Sequence, residues 1–145
     1  MFVPRLQTFD PSRVAVTASG IVLTGFAREG IEAALDGDRW DDEAGVDGEV
    51  VRRATNDARG TITLHLMQSA RDNQVLTDLH LADLASPVGG AFPVEIQDLL
   101  GNDLVLAASA WILGPPRLAR RRDGEANVWS IRSGNLQILA RGSAQ

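Results

Sequence analysis

The sequence predicts a mainly β fold: a sandwich or barrel of two packed antiparallel sheets, with one flanking α-helix and a long projecting loop. Three observations carry this. Several short stretches alternate apolar and polar residues, which marks half-buried strands. Turn-forming pairs separate those stretches, and one segment alone repeats its apolar residues at helical intervals.

Arg13 to Ala18 puts Val14 and Val16 on one face, and after Ser19-Gly20 the chain continues apolar through Ile21 to Leu23. Thr61 to Met67 alternates most regularly, with Ile62, Leu64 and Leu66 on one side and Thr61, Thr63 and His65 on the other. Ser69 precedes Asp72 at capping-box spacing, and Val75, Leu76, Leu79 and Ala82 form a helical stripe that Ser86-Pro87 stops, so a helix is predicted over about 70–85. Phe92 to Asp98 alternates again. The turn residues Gly101-Asn102-Asp103 and the apolar run Leu104 to Leu113 then predict a hairpin with a buried second strand, containing Trp111 as a core residue. Gly114-Pro115-Pro116 ends that strand, because proline cannot donate to a ladder. Asp123-Gly124 signals a second hairpin, Glu125 to Arg132 a short strand with Trp129, and Leu136 to Leu139 a closing strand.

Within the extended loop expected at about 36–57, the stretch Asp36 to Glu49 differs from the rest. Seven of nineteen acidic residues (Asp36, Asp38, Asp41, Asp42, Glu43, Asp47 and Glu49) surround Trp40 with three glycines, which places it outside the core as a projecting loop or hairpin. Trp40 there either folds back or anchors a partner.

A chain of 145 residues suits a single domain with a real core, and its 44% apolar and 23% charged residues are those of a globular protein. No apolar run nears the ~20 residues that cross a bilayer, and the first ten residues lack a signal peptide's apolar stretch, so no membrane role is expected. With no cysteine, thiolate chemistry and disulfides are excluded. A net charge of -5 argues against general nucleic-acid binding, which rests on basic residues neutralising phosphates.

Catalytic and metal chemistry find little support. The acidic segment puts Arg39 and Trp40 where a calcium loop needs further ligands. His65 and His80 lie on different predicted elements with no ligand spacing, and neither a nucleophile elbow nor a phosphate loop is present. No enzyme activity and no cofactor are expected, and a chain without tyrosine offers little for a sugar-binding platform. The dense basic run Arg117, Arg120, Arg121 and Arg122 lies beside Asp123 and Glu125 without interleaved aromatics. It reads either as a solvated hairpin tip or as a salt-bridging partner for the acidic segment of a neighbouring copy.

The order of these segments resembles that of the bacteriophage tail tube proteins. Gly25-Phe26-Ala27-Arg28-Glu29-Gly30-Ile31 is similar to that family's G-x-A-x-E-G-I opening. Asp47-Gly48, then Asp57-Ala58-Arg59-Gly60-Thr61-Ile62-Thr63-Leu64, are similar to its A-D-G and D-x-S-G-x-V-T-V sections. Gln68 to Asn73, Asp98 to Asp103, Gly114-Pro115-Pro116, Asp123-Gly124 and Trp129 fall near its later landmarks, so the similarity runs from Val14 to Ile138. It departs in Arg39-Trp40-Asp41-Asp42-Glu43, more acidic than the pattern, and in having arginine at lysine positions.

The resemblance implies one tube domain over 1–145 with an N-terminal arm at about 1–12. It implies a virion protein of the phage tail, assembled in the host cytoplasm as hexameric rings stacked into a tube for DNA ejection. DNA would pass without specific binding, and the tail sheath, tape measure, baseplate and terminator proteins would be partners. The related tube of an injection device carrying protein is the alternative. On this reading Asp38, Arg39, Trp40, Asp41, Asp42 and Glu43, with Arg117, Arg120, Arg121 and Arg122, are the expected contacts between subunits or rings. The bore is expected to be net negative, with those arginines facing a neighbour or the outside.

Overall fold

The computed structural model describes residues 14–99, 101–119 and 124–141. Among these residues, ten strands and one helix follow in the order β1 (Val14–Ala18), β2 (Ile21–Leu23), β3 (Phe26–Leu35), β4 (Trp40–Ala44), β5 (Val50–Ala54), β6 (Gly60–Leu66), α1 (Asp72–Ala85), β7 (Phe92–Asp98), β8 (Leu104–Ile112), β9 (Asn127–Ser133) and β10 (Leu136–Leu139). Two antiparallel sheets result. One runs β2-β1-β7-β8-β9-β6-β3 with β10 also on β8, and the other is the pair β4-β5. The sheet packs on itself as a sandwich and does not close into the barrel that was the alternative.

Strand β8 is the fold line. One edge pairs with β7, while the other is shared: Ala110 to Ile112 pair with β9, and Leu104 to Ala107 with β10. Beyond β8 the chain continues through β9 to β6 and β3, so two leaves face each other. Alternation puts Val16, Ala18, Val94, Ile96 and Ala107 of one leaf against Ile62, Leu64, Leu66, Trp129 and Ile131 of the other, all buried. Each large aliphatic side chain buried there contributes about 1.5–3 kcal/mol. At Gly60 the leaves come so close that an added Cβ would run into the Leu136 side chain and lie 3.0 Å from the Ala34 carbonyl oxygen.

The strand pair β1-β2 turns at Ser19-Gly20, both with positive φ, 52° and 81°, as its two-residue loop requires. The helix departs from its expected start. Ser69 makes no capping bond, and the N-cap position is Arg71 with helical backbone. Instead Asp72 accepts from the Thr24 amide and from Thr24 Oγ1 (3.0 Å), which ties the helix start to the link between β2 and β3. Of the expected stripe, Leu76 is buried, Val75 and Leu79 pack partly on the core, and Ala82 is exposed. Ser86 turns extended before Pro87, where a helical residue would clash with the proline ring.

Trp111 is half-buried and not the core residue its apolar strand suggested; Trp129, at 1% exposure, is. A bulge explains the difference. Pairing of β7 with β8 shifts between Phe92 and Val94, so Ala108 and Ser109 both point outward and the buried series passes from Ala107 to Ala110 and Ile112. Trp111 therefore stands opposite Arg132 on the outer face. Buried Ser133 holds the bulge by donating to the Ser109 carbonyl at 3.0 Å.

Candidate assembly interface

The acidic segment is a β-ribbon where the sequence allowed either a loop or a hairpin. Trp40 pairs with Ala54, Asp41 with Arg53, Asp42 with Arg52, Glu43 with Val51 and Ala44 with Val50. The tip closes with the Gly45 amide donating to the Glu49 carbonyl (2.7 Å) and the Gly48 amide to the Gly45 carbonyl (3.0 Å). That three-residue loop needs a left-handed residue at its end, and Gly48 supplies it with φ 84°.

Every strand residue of this ribbon is exposed. One face carries Trp40, Asp42, Arg52 and Val50, with the Arg52 guanidinium 4.1 Å from the Trp40 ring centroid. The other carries Asp41, Glu43, Arg53 and Val51, with Arg53 and Glu43 ion-paired at 2.9 Å. In water such contacts contribute about 0–1 kcal/mol each, and a two-stranded ribbon alone is marginal. Trp40, Val46, Val50 and Val51 nevertheless remain 50% or more exposed. A side chain like tryptophan in that position is the usual anchor of a protein contact.

The root of the ribbon is better held than its body. Thr55 donates through its amide to the Arg39 carbonyl (2.8 Å) and through its hydroxyl to the Asp38 carbonyl (2.7 Å). Asp36 accepts from Arg132 Nη2 (2.6 Å) and Nε (3.1 Å) on β9 and from Thr61 Oγ1 (2.9 Å) on β6. These bonds, Arg132 first, hold the Asp36 carboxyl below the usual carboxylate range. Asp57 receives both Nε and Nη2 of Arg59 at 2.9 Å, which lowers its pKa to about 2 and raises that of Arg59. The ribbon is thus aimed by ion pairs at its base while its length stays free.

Asp38 to Glu43 come together here, Asp38 and Arg39 at the root and Trp40 to Glu43 on β4. Arg117 is exposed on the separate connection after β8, which Gln68 ties down by donating to the Ala119 carbonyl at 2.6 Å. Arg120, Arg121 and Arg122, the N-terminal arm at about 1–12 and Asp123 lie outside the described residues. Sequence reading missed the second strand, with Val50, Val51, Arg52 and Arg53. The signal for it was the Asp47-Gly48 pair followed by two β-branched residues.

Residues 15–140 match the family model described as Bacteriophage PhiTE tail tube protein. The chain belongs to this tail tube family. The tube protein is also 31% identical to Structural protein ORF10 of Pseudomonas phage KPP10, an alignment covering 88% of this chain and 78% of that protein. Among solved structures, the anti-feeding prophage cap (AFP tube terminating cap) shares its fold with TM-score 0.59 and 12% identity, over 97% of this chain and 96% of that one. An extracellular contractile injection system, PVC, in its sheath-tube complex, gives TM-score 0.57 and 10% identity over 88% of each chain. At these identities the structures speak to the fold, and the sequence matches to the role of a phage tail structural protein.

Proposed function

We propose that this protein is the non-enzymatic building block of the tail tube, forming hexameric rings that stack into the conduit for DNA ejection. The observation that carries this is the β4-β5 ribbon, which is aimed outward from an ion-paired root and finds no burial within its own chain. Contact with the neighbouring copy or ring is what this ribbon lacks. Head-to-tail contacts of this kind close into rings or extend into filaments, and they also occupy the outer edges of β2 and β3, which have no strand partner among the described residues and in a lone subunit invite aggregation.

Asp38, Arg39, Trp40, Asp41, Asp42 and Glu43 then form one side of the contact, and the arginines at 117 and 120–122 the other side, facing a copy's carboxylates. The acidic balance suits a bore through which DNA slides without being held. Sheath and terminator proteins are the partners favoured by the solved relatives, and tape measure and baseplate proteins those implied by the family. A second reading, a tube delivering protein cargo, is favoured by the injection-system origin of those relatives.

Negative-stain microscopy of the purified protein, with and without a tail initiator, tests the proposal. Wild type forms rings or hollow fibres, whereas a variant whose residues 41–53 are replaced by a short Gly-Ser turn keeps its circular dichroism and forms none. Wild type that stays monomeric at high concentration with an initiator, or a variant that polymerises normally, would overturn it. Nucleic acid or protein found inside isolated particles separates the two readings.

A further inference from the structure

Helix α1 turns one face away from the sheet. Leu81 and Leu84 lie one turn apart on it, Val88 follows in the turn after the helix, and all three are more than half exposed. Asp78 stands one turn before Leu81 on the same side, where it accepts from Gln74 Nε2 at 2.8 Å. The last turn of the helix has no basic residue to meet its carbonyls. In sequence the lack is wider. From residue 72 to residue 116 the chain holds six carboxylates (Asp72, Asp78, Asp83, Glu95, Asp98 and Asp103) and no arginine or lysine, so a cover that suits this stripe is apolar and brings its own cation. Exposed apolar patches with a polar rim mark protein contacts, and the helix dipole favours a cation at this end.

We propose that the β4-β5 ribbon of another copy lands on this stripe, with Trp40 seated on Leu81 and Leu84 and Arg52 paired with Asp78. This landing site rests on the tube reading above and gives the ribbon its receiving surface. Spacing supports it. The Arg52 guanidinium lies 4.1 Å from the Trp40 ring centroid, and residues three apart on a helix, as Asp78 and Leu81 are, have Cβ atoms roughly 5–6 Å apart. A ring set on the leucines therefore carries the guanidinium to the carboxylate. An arginine stacked on a ring keeps its in-plane N–H groups for such a partner. Charge selects the face. The Trp40 face holds one aspartate, Asp42, opposite Arg52, whereas the other sets Asp41 and Glu43 against Arg53 and would bring excess negative charge to Asp78. That second face is left for the arginines proposed above. Each copy carries both halves exposed, so one head-to-tail contact covers the ribbon of one copy and the helix of the next, and it repeats. A different protein with a basic, apolar segment is the rival occupant, but it leaves Trp40 uncovered.

Charge exchange in the full chain tests the pairing. Arg52 and Asp78 are both exposed, so Arg52→Asp and Asp78→Arg should keep the fold by circular dichroism. Assembly with a tail initiator is followed by sedimentation and negative stain. Each change alone is expected to raise the concentration needed for polymer about tenfold, and the two together to restore it to within about threefold of wild type. The chain has no cysteine, so Ala54→Cys, opposite Trp40, and Ala85→Cys, next to Leu84, can be joined cleanly by a short bismaleimide. That double variant is expected to give a ladder of covalent multimers, and Ala54→Cys with Val128→Cys, on the outer face of β9, to give none. A double charge variant that stays impaired, or polymer of the first cysteine pair without a ladder, overturns the landing site and leaves the tube reading standing. Normal assembly of a chain with Leu81→Ser and Leu84→Ser assigns the stripe to a different protein and also overturns it. Wild type that forms no polymer with the initiator overturns both.

Discussion

Replacing Asn73 by alanine probes the polar joint between the helix and the sheet. Asn73 Nδ2 donates to the carbonyls of Met67 and Ala70, both at 2.9 Å, and its Oδ1 accepts from Trp129 Nε1 at 2.9 Å and Asn127 Nδ2 at 3.1 Å. Trp129 and Asn127 are 1% and 6% exposed, so water does not replace the lost acceptor. Each of the two stranded buried donors costs about 1–3 kcal/mol, which puts Asn73→Ala at about 2–6 kcal/mol, a large part of a domain's total of about 5–15 kcal/mol. Urea unfolding followed by circular dichroism measures it. Trp129→Phe removes the indole donor, so Asn73→Ala should cost about 1–2 kcal/mol less in that background. Additivity of the two changes within about 0.3 kcal/mol, or a loss below about 0.5 kcal/mol for Asn73→Ala alone, would refute the joint.

Gly60→Ala should destabilise by about 1–3 kcal/mol through its clash with Leu136, and combining it with Leu136→Ala should cost less than the sum, both read from chemical denaturation. Trp40→Ala should leave subunit unfolding within about 0.5 kcal/mol of wild type, yet reduce polymer formed in a sedimentation assay. Gly48→Val strains a left-handed turn position by about 1–2 kcal/mol, and should likewise lower polymer yield while the melting of the subunit core is kept. The folded pKa of Asp57 is depressed, from 3.8 to about 2, so its ion pair contributes stability above about pH 4 that is lost as pH falls through 2. Asp36 shifts in the same direction, and Asp36→Asn with Asp57→Asn should flatten the acid limb of a pH–stability profile.

Much of the fold could be read because alternation follows burial. Strands β1, β6 and β7 each bury one face, so Val16, Ile62, Leu64 and Val94 stand at period two and their turns at residues that tolerate the bend. Where that rule has no purchase, reading stopped. The β4-β5 ribbon buries neither face, so its strands carry no period, and its carboxylates resembled a solvated loop. In β8 the run Leu104 to Ile112 is apolar on both sides, and a bulge at Ala108-Ser109 decides which side is inside. That choice is made by pairing with β7 and by Ser133, far away in sequence, so Trp111 was placed wrongly. The helix start misled because the orphan amides of a first turn can be met by backbone: here the Asn73 amide donates to the Ala70 carbonyl and the Gln74 amide to the Arg71 carbonyl, without Ser69. The acidic half of the candidate interface was legible from charge, while its arginine and valine half needed the pairing register to bring Arg52 over Trp40 and Arg53 to Glu43.

The central claim is that the β4-β5 ribbon gains from another copy the burial it lacks at home. Cryo-electron microscopy of the assembled polymer tests it most directly. Trp40, Val50 and Val51, each at least half-exposed in the subunit, should be covered by a neighbouring subunit around a central channel. A polymer in which those side chains still face solvent, with subunits joined elsewhere, would contradict the account.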